Sequence, residues 1–184
     1  MAATQLPPLE YLRQCFRYDH ATGFLIWLER PPEHFPTKRG WLIFRSAYAR
    51  RRAGSLLSHQ NGTTFYIQVC VAGRMYLAHR IIWALIHGVD PGDALIDHRD
   101  GDGTNNRESN LREATHSQNH MNRRVTVGGH LKGTTFSKKD RKWQAKIQIN
   151  KKQTHLGHFD TQEEAHAAYC RAAVELHGAF ARFG

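Results

Sequence analysis

Asp97 and His98 stand side by side, Asn110 follows His98 by twelve residues, and Asn119 comes nine residues after that. Asp97 and Asn119 offer hard oxygen donors, a pair that suits one Mg²⁺ or Mn²⁺ better than zinc. His98 is neutral over much of the physiological range and can accept a proton, which makes it the candidate general base. A hard cation on phosphate oxygens and a base on water are the two requirements for hydrolysing a phosphodiester. A lone Asp-His pair would mean little. The signal is the joint spacing of four such residues in a basic chain.

Two structural explanations compete. Asp100, Asp102 and Thr104 begin like a calcium loop, but Asn105 sits at the sixth position, where glycine is needed. Leu111 stands at the twelfth, where glutamate is needed, so the EF-hand reading fails. Asn and Asp also gather in turns that bind nothing.

The elements that must position these residues are short. Leu95 and Ile96 make an apolar strand that ends in Asp97 and His98. The run Asp100 to Asn106 is dense in turn formers, so the chain doubles back, and Asn110 to Ala114 returns as a second strand. Thr115 or Ser117 then caps a helix that carries Asn119. Upstream, Leu9 to Phe16 reads as a helix and Gly23 to Leu28 as a strand. Phe65 to Val71 and Arg74 to Leu77 form a hairpin turning at Ala72-Gly73, with a helix from His79 to His87. That helix is expected to pack beneath the Asp-His strand, and His79 reads as structural or DNA-facing rather than as a metal ligand.

The partner is written in the charge. The chain has 26 Lys+Arg against 16 Asp+Glu, a net charge of +10 and a pI near 9.9, which favours polyanions. From His34 to Val89 there is no acidic residue at all. Arg45, Arg50, Arg51, Arg52 and Arg80 fall in that stretch and are the expected phosphate contacts. No apolar run spans a bilayer and no signal peptide is visible, so neither a membrane partner nor secretion is expected. Cys15, Cys70 and Cys170 form no Cys-x-x-Cys pair, which points to a reducing, cytoplasmic setting. Cys70 and Cys170 lie in apolar-periodic stretches and are expected in the core.

Beyond Val125 to His130, a linker marked by Gly128-Gly129, a second module follows. Three strands are expected, the middle one alternating Trp143, Ala145, Ile147 and Ile149 with Lys142, Gln144, Lys146 and Gln148. Thr161 and Glu164 make a capping box, and the helix they open carries Ala165, Ala168, Tyr169, Ala172, Ala173 and Leu176 as one apolar stripe.

With Asn in place of a final His, the run LIDHRDGDGTNNRESNLREATHSQNHMN resembles the HNH endonuclease family, and YDHATGFLIW and AHRIIWALIHG resemble the openings of its phage homing members. The resemblance implies a ββα-metal core in which Asp97 and Asn119 hold one divalent ion on the scissile phosphate. It further implies that His98 is the base, its ring oriented by a backbone carbonyl, that Asn110 braces the loop, and that a 5′ phosphate and a 3′ hydroxyl result. The runs KWQAKIQI and THLGHFDTQEEAHAAYCRAA resemble the APETALA-type, ethylene-response-factor-like DNA-binding domain, whose sheet enters the major groove. This implies that Lys142, Gln144, Lys146 and Gln148 face DNA, with Lys132 and His155 nearby.

The sequence therefore implies an α+β protein in four segments. Residues 1–75 are a basic DNA-contacting α/β extension and 76–124 the ββα-metal nuclease; 125–131 are a linker and 132–184 a three-stranded antiparallel sheet packed on one helix. The expected activity is metal-dependent nicking of double-stranded DNA at a preferred site. A DNA-binding transcriptional regulator with a non-catalytic HNH scaffold is the alternative, and a nonspecific nuclease a third.

Overall fold

A computed structural model describes residues 5–58, 64–122, 131–149 and 152–183 of an α+β chain. It divides into two compact units, Met1–Glu113 and Ala114–Gly184. The linker expected over 125–131 lies, apart from Leu131, outside the described residues.

In the first unit α1 (Leu9–Cys15) follows Pro8 and buries Leu12 and Cys15. β1 (Phe16–Asp19) and β2 (Phe24–Trp27) pair antiparallel, with Phe16 opposite Trp27 and their rings 4.3 Å apart. α2 (Lys38–Ala47) starts at Thr37, whose Oγ1 accepts the Gly40 N–H at 3.1 Å. Sequence periodicity gives no hint of this helix, because Trp41, Leu42, Ile43 and Phe44 are consecutive rather than spaced for one face. Phe44 turns inward against Trp27 and Phe35, while Leu42 and Ile43 stay exposed.

β3 (Ser55–Ser58), β4 (Phe65–Val71) and β5 (Arg74–Leu77) form an antiparallel sheet in chain order. The two-residue turn between β4 and β5 has Ala72 at φ 48 and Gly73 at φ 75, left-handed at both positions as a twisted hairpin prefers. Alternation along β4 sends Ile67, Val69 and Val71 into the core, which leaves Cys70 on the other face. The expectation that Cys70 is a core residue is thus wrong: it is exposed, Cys170 is half-buried, and Cys15 is the buried thiol. α3 (Ala78–His87) ends at Gly88 in the left-handed conformation and buries His79, Ile81, Ile82 and Ala84 against α1, β4 and β5. β6 (Leu95–His98) and β7 (Leu111–Ala114) pair as a separate two-stranded sheet.

The loop between β6 and β7 is seated on the N-terminal elements. Tyr18 Oη accepts the Glu108 N–H at 2.9 Å and donates to the Asn106 carbonyl at 3.2 Å. At Gly23, φ +77, a Cβ would come within 2.7 Å of the Arg107 nitrogen, so only glycine lets the β1–β2 turn touch the loop. From the other side Gly103 packs so close to β4 that any Cβ would overlap the Phe65 carbonyl and the Tyr66 ring.

In the second unit α4 (His116–Met121) opens with a capping box between Thr115 and Gln118. β8 (Thr134–Ser137), β9 (Lys142–Ile149) and β10 (Lys152–Phe159) form an antiparallel sheet in the order β10-β9-β8. α5 (Gln162–His177) is opened by the Thr161–Glu164 capping box and lies on that sheet. Its buried stripe is Ala165, Tyr169, Ala173 and His177, spaced by four. Leu176, expected in that stripe, is exposed, because a step of three from Ala173 turns it past the contact face. No helix among the described residues is long and apolar enough to cross a membrane.

The three thiols should react in order of burial. Ellman's reagent is expected to modify Cys70 first in the native protein, and Cys170 more slowly. Cys15, whose thiol burial pushes up, should react only on unfolding. Rapid native labelling of Cys15 in a Cys70→Ser, Cys170→Ser protein would contradict this packing.

Candidate active site

Asp97 and His98 end β6, and both are buried, at 6% and 4% exposure. A charge so deep needs a partner, and the neighbouring strand supplies one. Arg112 on β7 reaches Asp97 Oδ2 with Nε at 2.9 Å and with Nη2 at 2.8 Å. The pair fixes the carboxylate in direction at the end of β6. Arg112 carried no signal in the sequence, since a basic residue in a strand of a basic chain reads as surface.

His98 Nε2 lies 2.8 Å from Asn106 Oδ1, and Asn106 is itself buried. An amide oxygen in that place accepts from Nε2–H and so selects the tautomer. The sequence reading assigns ring orientation to a backbone carbonyl and does not single out Asn106. Burial pushes the His98 imidazole below its ordinary 6.5, although the Asn106 bond and the carboxylates of Asp100, Asp97 and Asp102 pull the other way. A second imidazole stands against it: the His79 ring, on α3, is 4.9 Å away centroid to centroid and perpendicular. Burial, then His98, push His79 well below 6.5.

Asn110 works inside the loop. Its Oδ1 accepts the Asp100 N–H at 3.0 Å, and its Nδ2 donates to Asp100 Oδ1 at 3.0 Å and to the Asn105 carbonyl at 2.7 Å. Asp100 also takes the Asp102 N–H at 2.8 Å and Asn105 Nδ2 at 2.6 Å, and Asp102 Oδ1 takes the Thr104 N–H at 2.9 Å. Partial burial alone would raise the Asp100 carboxyl, but these donors outweigh it and hold it below the usual range. The turn-forming side chains are thus spent on their own backbone.

Among the described residues no group of three His, Cys, Asp or Glu side chains gathers to hold a metal. An amide oxygen does not count toward such groups, and a carboxylate and an amide oxygen are each donor types that suit a hard cation that keeps waters. Asp97 is the carboxylate. Asn119 sits on α4 in the second unit, one turn after the Thr115 cap.

The expected DNA contacts are placed as follows. Arg45 and Arg50 flank Glu29 at 4.0 and 3.2 Å, Arg52 lies 3.7 Å from the centre of the Phe24 ring, and Arg51 is exposed. Arg80 is turned inward to the Ala94 carbonyl at 3.0 Å and the Gly92 carbonyl at 2.5 Å, with Asp90 at 3.7 Å. In the second unit Gln144, Lys146 and Gln148 share a sheet face with His155, which stands opposite Lys146. Gln144 meets His158 at 3.0 Å and Lys142 pairs with Asp160 at 3.1 Å. Lys132 is half-buried, donates to the Met121 carbonyl at 2.6 Å, and is lowered by burial to about 8.

Residues 76–121, from β5 through α4, match the family model described as HNH endonuclease. This stretch is an HNH endonuclease domain. An uncharacterized HNH endonuclease of Acanthamoeba polyphaga mimivirus is 36% identical over 110 residues, 59% of this chain and 57% of that protein. The chain thus spans little more than half the length of that curated relative. An ethylene-responsive transcription factor-like protein of Arabidopsis thaliana is 60% identical over 35 residues, 19% of this chain and 16% of that protein. No solved structure matches the chain. The HNH domain contains Asp97, His98, Asn106, Asn110 and Arg112 together.

Two outcomes follow from this geometry. Arg112→Met should cost about 3–5 kcal/mol in urea unfolding by stranding a buried carboxylate, and Asp97→Asn in the same chain should recover most of it; an additive double variant would refute the pairing. Because His79 and His98 resist protonation when folded, the unfolded chain binds more protons below 6.5. Their contribution is intact above that pH and lost as pH falls through it. Urea midpoints taken between pH 8 and 5 should therefore decline on the acid side, and less steeply in His79→Phe.

Proposed function

We propose that the chain is a metal-dependent endonuclease of the homing type that nicks one strand of double-stranded DNA at a preferred site. The observation that carries this reading is the buried Asp97–Arg112 and His98–Asn106 arrangement at the end of β6, inside the HNH domain. Asp97 and Asn119 would hold a single Mg²⁺ or Mn²⁺, which supplies Lewis-acid stabilisation of the phosphate and the departing 3′ oxygen. His98, neutral at physiological pH, takes the proton from the attacking water. Asn106 sets the tautomer of that ring, and Asn110 fixes the loop that carries Asn106. The products are a 5′ phosphate and a 3′ hydroxyl.

Duplex DNA is the substrate that the net charge of +10 supports. Residues 1–75 and 132–184 would each grip phosphates and bases, residues 76–124 would cut, and 125–131 would link the nuclease to the second binding module. Arg51 is exposed and would meet phosphates, and Arg45, Arg50 and Arg52 would join it by leaving Glu29 and Phe24. In the second unit Lys142, Gln144, Lys146, Gln148 and His155 form the contacting face, flanked by Lys132. Arg80 would act through the loop it braces. Three free cysteines suit work inside a cell.

Supercoiled plasmid and phage DNA incubated with Mg²⁺ or Mn²⁺ should convert to open circles or discrete fragments, and EDTA should stop the reaction. His98→Ala should cut about 10²–10⁴-fold more slowly while binding DNA as before, and Asp97→Ala and Asn119→Ala should lose metal response. DNA that is shifted on a gel yet left intact with either ion would make the chain a DNA-binding regulator built on an HNH scaffold.

A further inference from the structure

His79 is 5% exposed, and its Nδ1 has no hydrogen-bond partner among the described residues. An orphaned ring nitrogen is costly, and leucine would fill the start of α3 without that cost. What the imidazole does contact is His98, ring to ring at 4.9 Å with an interplanar angle of 90°. Tyr66 tilts against both rings, 5.8 Å from His79 and 6.0 Å from His98. Gly103 lies against Tyr66, close enough that a Cβ there would overlap the ring. His98 is therefore bounded by aromatic rings from α3 and β4, two elements the hydrogen-bonded loop does not include.

This boundary restrains a motion that the Asn106 bond controls weakly. Nε2 lies to one side of the Cβ–Cγ line with its N–H inclined to it, so a single hydrogen bond there restrains rotation of the ring about that line only in part. A perpendicular neighbour at van der Waals range restrains it further, because rotation drives one ring into the other. We propose that His79 is a positioning residue: its perpendicular contact, backed by Tyr66, fixes the ring plane of His98 and so the direction in which the base meets its water. The inference rests on the reading of His98 as general base. It predicts an effect on the rate of the bound complex and not on DNA affinity.

The test compares full-length wild type with His79→Ala, His79→Phe and, as a packing control elsewhere on α3, Ile82→Val. Single-turnover nicking of supercoiled plasmid in Mg²⁺ is read beside duplex binding in EDTA. Truncating His79 should slow nicking about 10- to 100-fold, as misplacement of a reacting group does, at unchanged affinity. His79→Phe should restore most of the rate by restoring the ring, and Ile82→Val should lower Tm without slowing nicking. A His79→Ala rate equal to wild type overturns the proposal, and so does a Phe variant as slow as Ala. Should His79→Ala fail to fold, His79→Leu serves the same comparison. A wild-type protein that cuts nothing removes the nuclease reading, but the ring contact is still measured by NMR of the His98 imidazole. Ring ¹³C and ¹⁵N shifts that do not change between wild type and the His79 variant overturn the proposal.

Discussion

Asp97 and Arg112 are buried side by side on two paired strands of four residues each, and much of the first unit exists to make that burial tolerable. Removing a carboxylate and a guanidinium from water costs several kcal/mol per ion, which close, well-aligned contacts must offset. The Arg112 Nε–H donates to Asp97 Oδ2 at 2.9 Å and Nη2 lies 2.8 Å from the same oxygen as an ion pair, contacts that persist only if the strands hold still. A two-stranded ribbon is marginal in water, so it leans on α3, whose Ile81 and Ile82 are fully buried. The result is a carboxylate held in a fixed direction at the end of β6.

The loop from Arg99 to Asn110 solves a second problem, that of holding a polar turn rigid. Its Asp and Asn side chains bond its own backbone, and outside contacts fix it in place, among them Tyr18 from β1, Gly23 from the β1–β2 turn, and Gly103 against β4. Rigidity here passes to His98 through Asn106. The N-terminal residues therefore serve the site as a platform, whatever further contacts their arginines make. Arg80 does the same for the approach to β6 by tying down the Gly92 and Ala94 carbonyls.

The second unit follows a simpler logic. Small residues on α5, Ala165 and Ala173, let the helix lie close on β9, with Tyr169 filling the remaining space. The strand period then leaves Lys142, Gln144, Lys146 and Gln148 on the face away from the helix, where polar side chains need no internal partner. The Lys142 charge is tempered locally by Asp160.

What the sequence determined by itself was everything that depends on local period and local chemistry. The strand ending in Asp97-His98, the hairpin at Ala72-Gly73, the Thr161 cap and the alternation of β9 all follow from spacing and turn chemistry within a few residues, while the cap of α4 was narrowed only to Thr115 or Ser117. The HNH resemblance of residues 76–121 was legible for the same reason, since its motif is contiguous. Only the tertiary structure decided the partners of the buried groups. Arg112 lies fifteen residues from Asp97, His79 nineteen from His98, and Tyr18 ninety from Glu108, and no periodicity links residues brought together by packing. Cys70 and Leu176 were misjudged on the same ground. Apolar composition marks a stretch as buried, but the phase of the strand or helix against its neighbour decides which side chains go in.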